Sequence, residues 1–451
     1  MNYTRPIVLT IAGSDSGGGA GIQADLKTIT VHGCFGVSVL TALTAQNTVG
    51  VQGIFPVPID FIRKQADSIF DDFTVAAAKT GMLHSEEVIR LVAETLSAHP
   101  GISYVCDPVM VAKSGDKLLM DDAIHALKSE LLPLATVVTP NIPEAEVLWG
   151  NPIKSKKDKE AACRAIHGMG ARAVLLKGGH ETGTMSTDLL FDGERFHQFS
   201  SPRYETQNTH GTGCTTSAAI ASNLARGMDV ITAIAEAKKF MDTAIRFSLN
   251  LGNGHGPTDH FAATEREKER YQVLHGLQKA VEYFSSHPAG HLIPEVQTNI
   301  AYALPFAATH GEVAAIPGRI VSLNGHPHAS GCPAFGASRH VANIVLTVMR
   351  FSPAHRSVMN IRYDKALLAK AESLGLVIRS FNRKDEPADV KEQEGSTLEW
   401  GTREVLSGAE MIPDIIFDTG DVGKEPMIRV IGADPMEVVI KALRMGGIQP
   451  N

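Results

Sequence analysis

Four short stretches of this chain carry residue types that could do chemistry together. The first is "NTHGTGCTTSAAIASNLARG", Asn208 to Gly227, a glycine turn feeding a helix of small residues. Glycine lets the backbone come close to a ligand. Free N–H groups at a helix start share one direction, and the helix dipole is positive there. Gly211, Thr212, Gly213 and Cys214 therefore read as an anion hole. The second stretch, "AGSDSGGGAGIQAD" from Ala12 to Asp25, sets Asp15 and a glycine cluster after an apolar run. The third, "TPNIPEAE", places Asn141 and Glu144 three apart on an opening helical turn. That pair could position a hydrated divalent cation, because hard cations prefer oxygen ligands, or simply cap the helix. The fourth, "LLKGGH", offers Lys177 to a phosphate.

The elements that must position these residues follow from periodicity. "PIVLTIAG", "AAAKTGML", "SYVCDPVM", "ATVVTP" and "ARAVLLKGGH" read as strands, separated by helical patterns such as "SEEVIRLVAETLSAH". Strands joined by helices of that length imply right-handed crossovers and a parallel sheet covered on both faces. In such sheets ligands bind at the carboxyl ends of the strands, which is where the four stretches fall.

Beyond "GNGHGPTDH" the composition changes. "FAATEREKERYQVLHGLQKAVEYF" is charged and then amphipathic, apolar at Leu274, Leu277, Val281 and Phe284, and reads as a connecting helix. We place a first domain at residues 1–258, a linker at 259–272 and a second domain at 273–451. The second half has its own strands ("EVAAIPGRIVSL", "SVMNIRYD", "LVIRSF", "DIIFDTG", "MIRVIG") and helices ("HVANIVLTVMRFS", "DKALLAKAESLG"). "RKDEPADVKEQEGSTLEWG" reads as an exposed loop. Arg319, Arg339, His340, Arg362, Arg383 and Lys424 lie near strand ends, turns or helix starts. As a set they suggest a phosphate-rich ligand. "GASRH" puts Ser338 and Arg339 ahead of an apolar helix, a second candidate anion-binding terminus.

The 451 residues carry 43% hydrophobic and 20% charged residues and a net charge of -7, which gives no sign of nucleic-acid binding. The 5 cysteines form no Cys-x-x-Cys pair, so neither a disulfide scaffold nor a zinc site is expected, and a reducing, cytoplasmic setting is. No stretch approaches the roughly 18 unbroken apolar residues of a membrane span.

The first 256 or so residues resemble the hydroxymethylpyrimidine and phosphomethylpyrimidine kinases, members of the ribokinase-like superfamily. The resemblance rests on seven ordered motifs: "AGSDSGGGAGIQADLKT", "TALTAQNT", "KTGML", "DPVMVAKSG", "TPNIPEAE", "LLKGGH" and "THGTGCTTSAAIA". It implies an α/β fold, a ribokinase-like domain with a central mostly parallel sheet flanked by helices. It also implies ATP-dependent phosphorylation of an aminopyrimidine alcohol and then of its monophosphate. The pyrimidine is expected near Asp25, Gln46 and Met82. ATP is expected along Asn141, Glu144, Lys177 and Thr212, with Mg²⁺ at Glu144 and, through water, at Asp107. Cys214 stands where the superfamily generally has aspartate. As a thiolate favoured by the helix start it would act as base or orient the substrate hydroxyl, and the bland alternative is a small buried hydrophobe. Such sheets commonly pair, so a homo-oligomer is expected.

The second half, a second α/β domain, resembles the ThiN-type thiamine-phosphate synthases through "IPGRIVSL", "CPAFGASRHVANIV", "NIRYD", "FNRKDEP" and "FDTGDVGKEPMIRVIG". That implies coupling of the pyrimidine diphosphate to a thiazole phosphate. Arg319 and His340 would be essential there, with Arg339 and Lys424 supporting. His340 would bind phosphate or orient an arginine. The alternatives are a non-catalytic, thiamine-phosphate-sensing second domain, and a pyridoxal kinase in the first half, against which "TAQNT", "KTGML" and Cys214 argue.

Overall fold

The computed structural model describes residues 4–110, 123–179, 183–387, 396–421 and 423–449. The tail of "DPVMVAKSG", His180 of "LLKGGH" and Val422 of "GDVGKEP" lie outside them. The chain divides into two compact units, Met1–Thr264 and Glu265–Asn451.

The first unit runs β1 (Ile7–Ala12), α1 (Gly21–Val31), β2 (Phe35–Leu40), β3 (Ala42–Gln46), β4 (Val51–Pro56), α2 (Ile59–Phe70), β5 (Val75–Thr80), α3 (Glu86–Ala98) and β6 (Ser103–Cys106). It continues with α4 (Ala123–Ala126), β7 (Val137–Val138), α5 (Ile142–Trp149), α6 (Lys156–His167), β8 (Val174–Leu176), β9 (Met185–Phe191), β10 (Phe196–Pro202), α7 (Thr212–Ala225) and α8 (Val230–Arg246). Its eight-stranded sheet has the order β10-β9-β8-β7-β6-β5-β1-β2. The pairs from β2 through β8 are parallel. Alternate residues face opposite ways along a strand. Leu9, Ala78, Val138 and Leu176 therefore pack with α2, α3, α5 and α6, while Val8, Ala77, Val137 and Leu175 pack with α7 and α8. The sheet is covered on both sides, as its nearly continuous apolar strands require.

Two features depart from the sequence reading. The sheet edge is antiparallel, because residues 192–195 form a tight turn between β9 and β10 and leave no room for a crossover helix. In that turn Asp192 accepts the N–H groups of Glu194 and Arg195. "TALTAQNT" is also part of an element, a two-stranded ribbon β3–β4 separate from the main sheet.

α9 (Ala262–Ser285) is one 24-residue helix, so helix occupies the stretch read as a linker from Ala262 onward. The second unit continues with β11 (Ile300–Ala303), β12 (Val313–Ala315), β13 (Ile320–Leu323), β14 (His326–Ala329), β15 (Ala334–Phe335), α10 (Arg339–Phe351) and β16 (Ser357–Arg362). After these come α11 (Lys365–Ser373), β17 (Ile378–Ser380), α12 (Ser396–Ser407), β18 (Ile415–Asp418), β19 (Met427–Gly432) and α13 (Pro435–Met445). The seven-stranded order is β15-β12-β11-β16-β19-β18-β17, antiparallel except at β17–β18. Val273, Leu277 and Phe284 of α9 pack on one face with α13, and Val345 of α10 packs on the other with Leu406 of α12.

"EVAAIPGRIVSL" is not one strand. Gly318 and Arg319 both take positive φ, 70° and 68°, and turn the chain out of β12 into the separate hairpin β13–β14. "STLEWG" is not loop either, since it opens α12. The intervening residues 388–395 lie outside the described ones.

Candidate active sites in the two units

In the first unit the expected residues gather at the carboxyl ends of β1, β6, β7 and β8. The turn after β1 is held by one carboxylate. Asp15 accepts the N–H groups of Gly17, Gly19 and Ala20 at 2.8, 3.1 and 2.8 Å, and His210 Nε2 lies 2.8 Å from its Oδ2. Burial pushes the Asp15 carboxyl up, but the His210 hydrogen bond and the Ala20 and Gly17 N–H groups outweigh it and hold it below its usual range. His210 Nε2 also lies 3.3 Å from the side-chain amide nitrogen of Gln46 on the ribbon. One histidine thus ties together the glycine loop, the ribbon and the anion-hole turn. "THGTGC" contains it, but nothing in that motif singles it out from its glycine neighbours.

Gly211 caps α7 with φ 82°. A Cβ there would stand 1.8 Å from the Gly19 carbonyl oxygen, so the turn admits only glycine. The first turn of α7 then presents the backbone of Thr212, Gly213 and Cys214 to an open cavity.

Asn141 and Glu144 form a reciprocal capping box. Asn141 Oδ1 accepts from Glu144 N at 2.9 Å, and Glu144 Oε2 accepts from Asn141 N at 2.8 Å. Glu144 is nevertheless placed for more than a cap. Burial pushes its carboxyl up to about 7; the Lys177 charge opposes this and the Asp107 charge adds to it. Lys177 Nζ is 2.9 Å from Asp107 Oδ1, which also accepts from Thr139 Oγ1 at 3.1 Å. One ammonium therefore serves two buried carboxylates. This local deficit of positive charge suits a divalent cation held largely by phosphate oxygens and water. Among the described residues no cluster of three or more His, Cys, Asp or Glu side chains is arranged around a metal position. Lys177, offered to a phosphate by its motif, lines the cavity while paired with Asp107.

Two cavities meet along this ridge. One, about 490 Å³, is lined by Gln46, Thr44, Met82 and Cys214. The other, about 240 Å³, has an apolar wall of Leu175, Ile220, Ile234 and Met241. Asn141, Lys177, Thr209, Thr212 and Gly213 line both.

Two expectations fail. Asp25 does not line the cavity. It is fully buried, 3.0 Å from Lys79 Nζ, and it accepts from Thr10 Oγ1 at 2.7 Å. Its charge is consumed beneath the site, where burial would lower the Lys79 ammonium and Asp25 keeps it raised. At half-buried Cys214 the balance runs against the expected thiolate. Burial pushes the thiol up to about 11, and the Lys79 charge only partly offsets this. All five cysteines are free.

In the second unit Arg319, Ser338, Arg339 and His340 line one cavity of about 460 Å³ with Gln297 and Asn299. Buried Asn299 builds its wall: Nδ2 donates to the Ile316 carbonyl at 2.9 Å and Oδ1 accepts Ile316 N at 3.0 Å. Arg319 donates to the Val296 carbonyl. Arg319 holds a positive φ of 68°, in the left-handed region that favours glycine. Lys424 does not line this cavity. Its neighbour Glu425 accepts the N–H groups of Glu295 and Val296, both at 3.0 Å, which sets Lys424 on the loop behind Arg319. Arg362 ends β16 and is exposed. Arg383 is withdrawn from any ligand role in this cavity: it is buried against Asp418, at 2.6 Å, which Arg429 also contacts at 2.7 Å.

Breaking the Asp25–Lys79 pair would strand a charge in the core. Lys79→Met should destabilise the first unit by about 3–5 kcal/mol, and adding Asp25→Leu should recover most of the loss. Chemical denaturation of the three chains checks this; equal midpoints for Lys79→Met and the double variant would contradict it.

Comparison with known proteins identifies both units. Residues 15–259 match the family model for phosphomethylpyrimidine kinase, and residues 276–444 match that for thiamine-phosphate synthase ThiN. The thiamine biosynthesis bifunctional protein ThiED of Geobacter sulfurreducens is 53% identical over 268 residues, covering 59% of this chain and 55% of that protein. This chain therefore spans only about half the length of that relative. The hydroxymethylpyrimidine/phosphomethylpyrimidine kinase of Haemophilus influenzae is 50% identical over 260 residues, 56% of this chain and 96% of that one. Among solved structures, the ADP complex of Bacillus subtilis pyridoxal kinase superposes with a TM-score of 0.55 at 41% identity, over 58% of this chain and 99% of that one. The Staphylococcus aureus pyridoxal kinase with AMP-PCP and pyridoxal gives 0.54 at 36%, over 58% and 95%. No helix among the described residues is long and apolar enough to cross a membrane. With residues 15–259, more than half of its length, matched by that model, this chain belongs to the phosphomethylpyrimidine kinase family and carries a ThiN thiamine-phosphate synthase domain behind it.

Proposed function

We propose that this chain makes thiamine phosphate in two stages. The first unit phosphorylates 4-amino-5-hydroxymethyl-2-methylpyrimidine and then its monophosphate, using ATP. The second couples the resulting diphosphate to a thiazole phosphate and releases pyrophosphate. The observation that carries the first stage is the pair of cavities meeting at the Gly211–Cys214 turn. The pyrimidine occupies the cavity of Gln46 and Met82, where an amide can pair with ring nitrogen and amino group. The nucleotide base lies against the apolar wall of Ile220, Ile234 and Met241, and its phosphates reach the shared ridge.

Phosphoryl transfer asks mainly for alignment and charge stabilisation. The N–H groups of Thr212, Gly213 and Cys214 face the oxygens of the transferring group. Lys177 meets the same oxygens while Asp107 fixes its ammonium. Mg²⁺, held by Glu144 with Asp107 reaching it through water, would neutralise phosphate charge. The Cys214 thiol orients the substrate hydroxyl, since it holds its proton at neutral pH.

In the second stage the bond from the pyrimidine methylene to oxygen breaks, negative charge grows on the diphosphate, and the thiazole nitrogen forms the new bond. Arg319, Arg339 and the His340 ring converge on one cavity suited to that leaving group.

Incubating the full chain with the pyrimidine alcohol, ATP, Mg²⁺ and thiazole phosphate should yield thiamine phosphate. Arg319→Ala and His340→Ala should abolish that product and leave the diphosphate accumulating. Wild-type coupling in both variants would remove this assignment. Gly211→Ala should cut pyrimidine phosphorylation by at least ~100-fold, because the Gly19 backbone must shift and the anion hole opens. Normal turnover in that variant would mean the turn does not hold the transferring group.

The Glu144 carboxyl also predicts a pH dependence. Its proton is held up to about 7, above the usual 4.5. The folded apo chain therefore keeps a proton that the unfolded chain has lost, and stability falls as pH rises from about 4.5 through 7. A bound cation needs the ionised form, so Mg²⁺–nucleotide affinity should rise across pH 6 to 8, and Glu144→Gln should flatten that rise. Calorimetric titration at several pH values measures both, and an equally steep rise in the variant would assign it to another group.

A further inference from the structure

A second cavity in the ThiN unit lies apart from the arginine-lined one. It is about 680 Å³ and is walled by Phe381, Trp400, Phe417, Asp385 and Glu404. Its place in the fold is informative. β17 and β18 form the only parallel pair described in this sheet, and the cavity opens at their carboxyl ends. That is where a parallel crossover leaves a crevice for ligands. Following the pairings across the sheet, the start of β11, the ends of β12 and β18 and the end of β17 share one edge. The cavity therefore opens on the same edge as Arg319 and His340. β11 and β18 are separated there by β16 and β19, about 14 Å at the usual strand spacing.

Its floor is rigid. Asp418 is wholly buried and accepts from Arg383 Nε, an Arg429 amino group and the Gly420 N–H at 2.6, 2.7 and 2.9 Å. The Arg429 guanidinium lies 5.4 Å from the centre of the Phe381 ring, which in turn meets Trp400 edge to face at 6.2 Å. Both cations of this lock are spent on Asp418, and the charged side chains among the described residues lining the cavity are Asp385 and Glu404. Asp385 and Glu404 are exposed at the rim and make no ion pair with any described residue.

Aromatic faces bind flat rings, and carboxylates accept from exocyclic amino groups or protonated ring nitrogens. A phosphate would be repelled here. We propose that this cavity seats a flat, amino-bearing nitrogen heterocycle, the aminopyrimidine end of the substrate, while the Arg319 cavity takes phosphate. The proposal rests on the synthase reading of this unit.

The chain has two tryptophans, Trp149 and Trp400. In a full-length Trp149→Phe background, Trp400 alone reports on this cavity. The pyrimidine alcohol, added without nucleotide, should quench its fluorescence saturably, and thiazole phosphate alone should not. Glu404→Gln and Asp385→Asn, both at exposed positions, should each weaken the quench roughly tenfold and raise the KM for the pyrimidine diphosphate in coupling, with kcat and the KM for thiazole phosphate little changed. Absence of quench in a chain that makes thiamine phosphate overturns the cavity assignment and leaves the synthase reading intact. Quench by thiazole phosphate alone overturns it as well. Quench by the pyrimidine in a chain that makes no thiamine phosphate supports the cavity and removes the synthase reading instead.

Discussion

The first unit depends on one contact that tolerates no side chain: Gly211 against the carbonyl of Gly19. A missing Cβ brings the glycine loop after β1 onto the cap of α7. Asp15 then locks the two together, taking three N–H groups from the loop and the His210 ring from the turn. Every other feature of the site is referred to this junction. The ribbon reaches it through Gln46, and the two cavities are defined by the backbone that runs from it. A phosphate-holding surface made of backbone N–H groups keeps its geometry without side-chain entropy to lose, provided the loop beneath it cannot move.

Charge is balanced beneath and beside this surface in a consistent way. Asp25 neutralises Lys79 under the site, and Asp107 engages Lys177 beside it. Each ammonium is therefore fixed in place. Glu144 is left without an ammonium in ion-pair contact among the described residues, and burial pushes its carboxyl up to about 7. The second unit uses the same economy with the sign reversed, where Asp418 immobilises two arginines far from the Arg319 cavity. In both units most buried charges are structural, and the few left facing a cavity define what it can hold.

How much of this was legible depended on whether a residue's role was local. The strand ends, the anion-hole turn and the capping box follow from short motifs, because glycine spacing and an Asn three residues before a Glu act over a single turn. Pairings made through space were not legible. Asp25 looked like a ligand because its motif neighbours are, and only the position of Lys79, 54 residues on, shows its charge to be used internally. Arg383 sat in a turn motif like Arg319, yet Asp418 claims it. The Arg319 turn was hidden inside an apolar run whose pattern reads as one strand, since Ile316 and Ile320 stay buried on either side of the break. The thiolate expectation at Cys214 weighed the helix dipole alone, and the structure shows burial to be the larger effect.

That protonated thiol bears on why one site could act twice. An aspartate at the mouth of α7 would accept a proton from an alcohol readily. It would also place a negative charge against any acceptor that already carries a phosphate, in a cavity where charges are poorly screened. A neutral thiol at Cys214 imposes no such repulsion. Thr44, Gln46 and Met82 in the same cavity are uncharged, and the Asp15 carboxylate that also lines it is already engaged by three N–H groups and His210. In the proposed reading, the cavity of about 490 Å³ that Cys214 lines with Gln46 and Met82 receives the pyrimidine with or without its first phosphate. In the proposed sequence of two phosphorylations, the substitution of sulfur for carboxylate thus trades strength of the base for tolerance of a charged acceptor, with alignment along the Gly211–Cys214 backbone carrying the greater share of the catalysis.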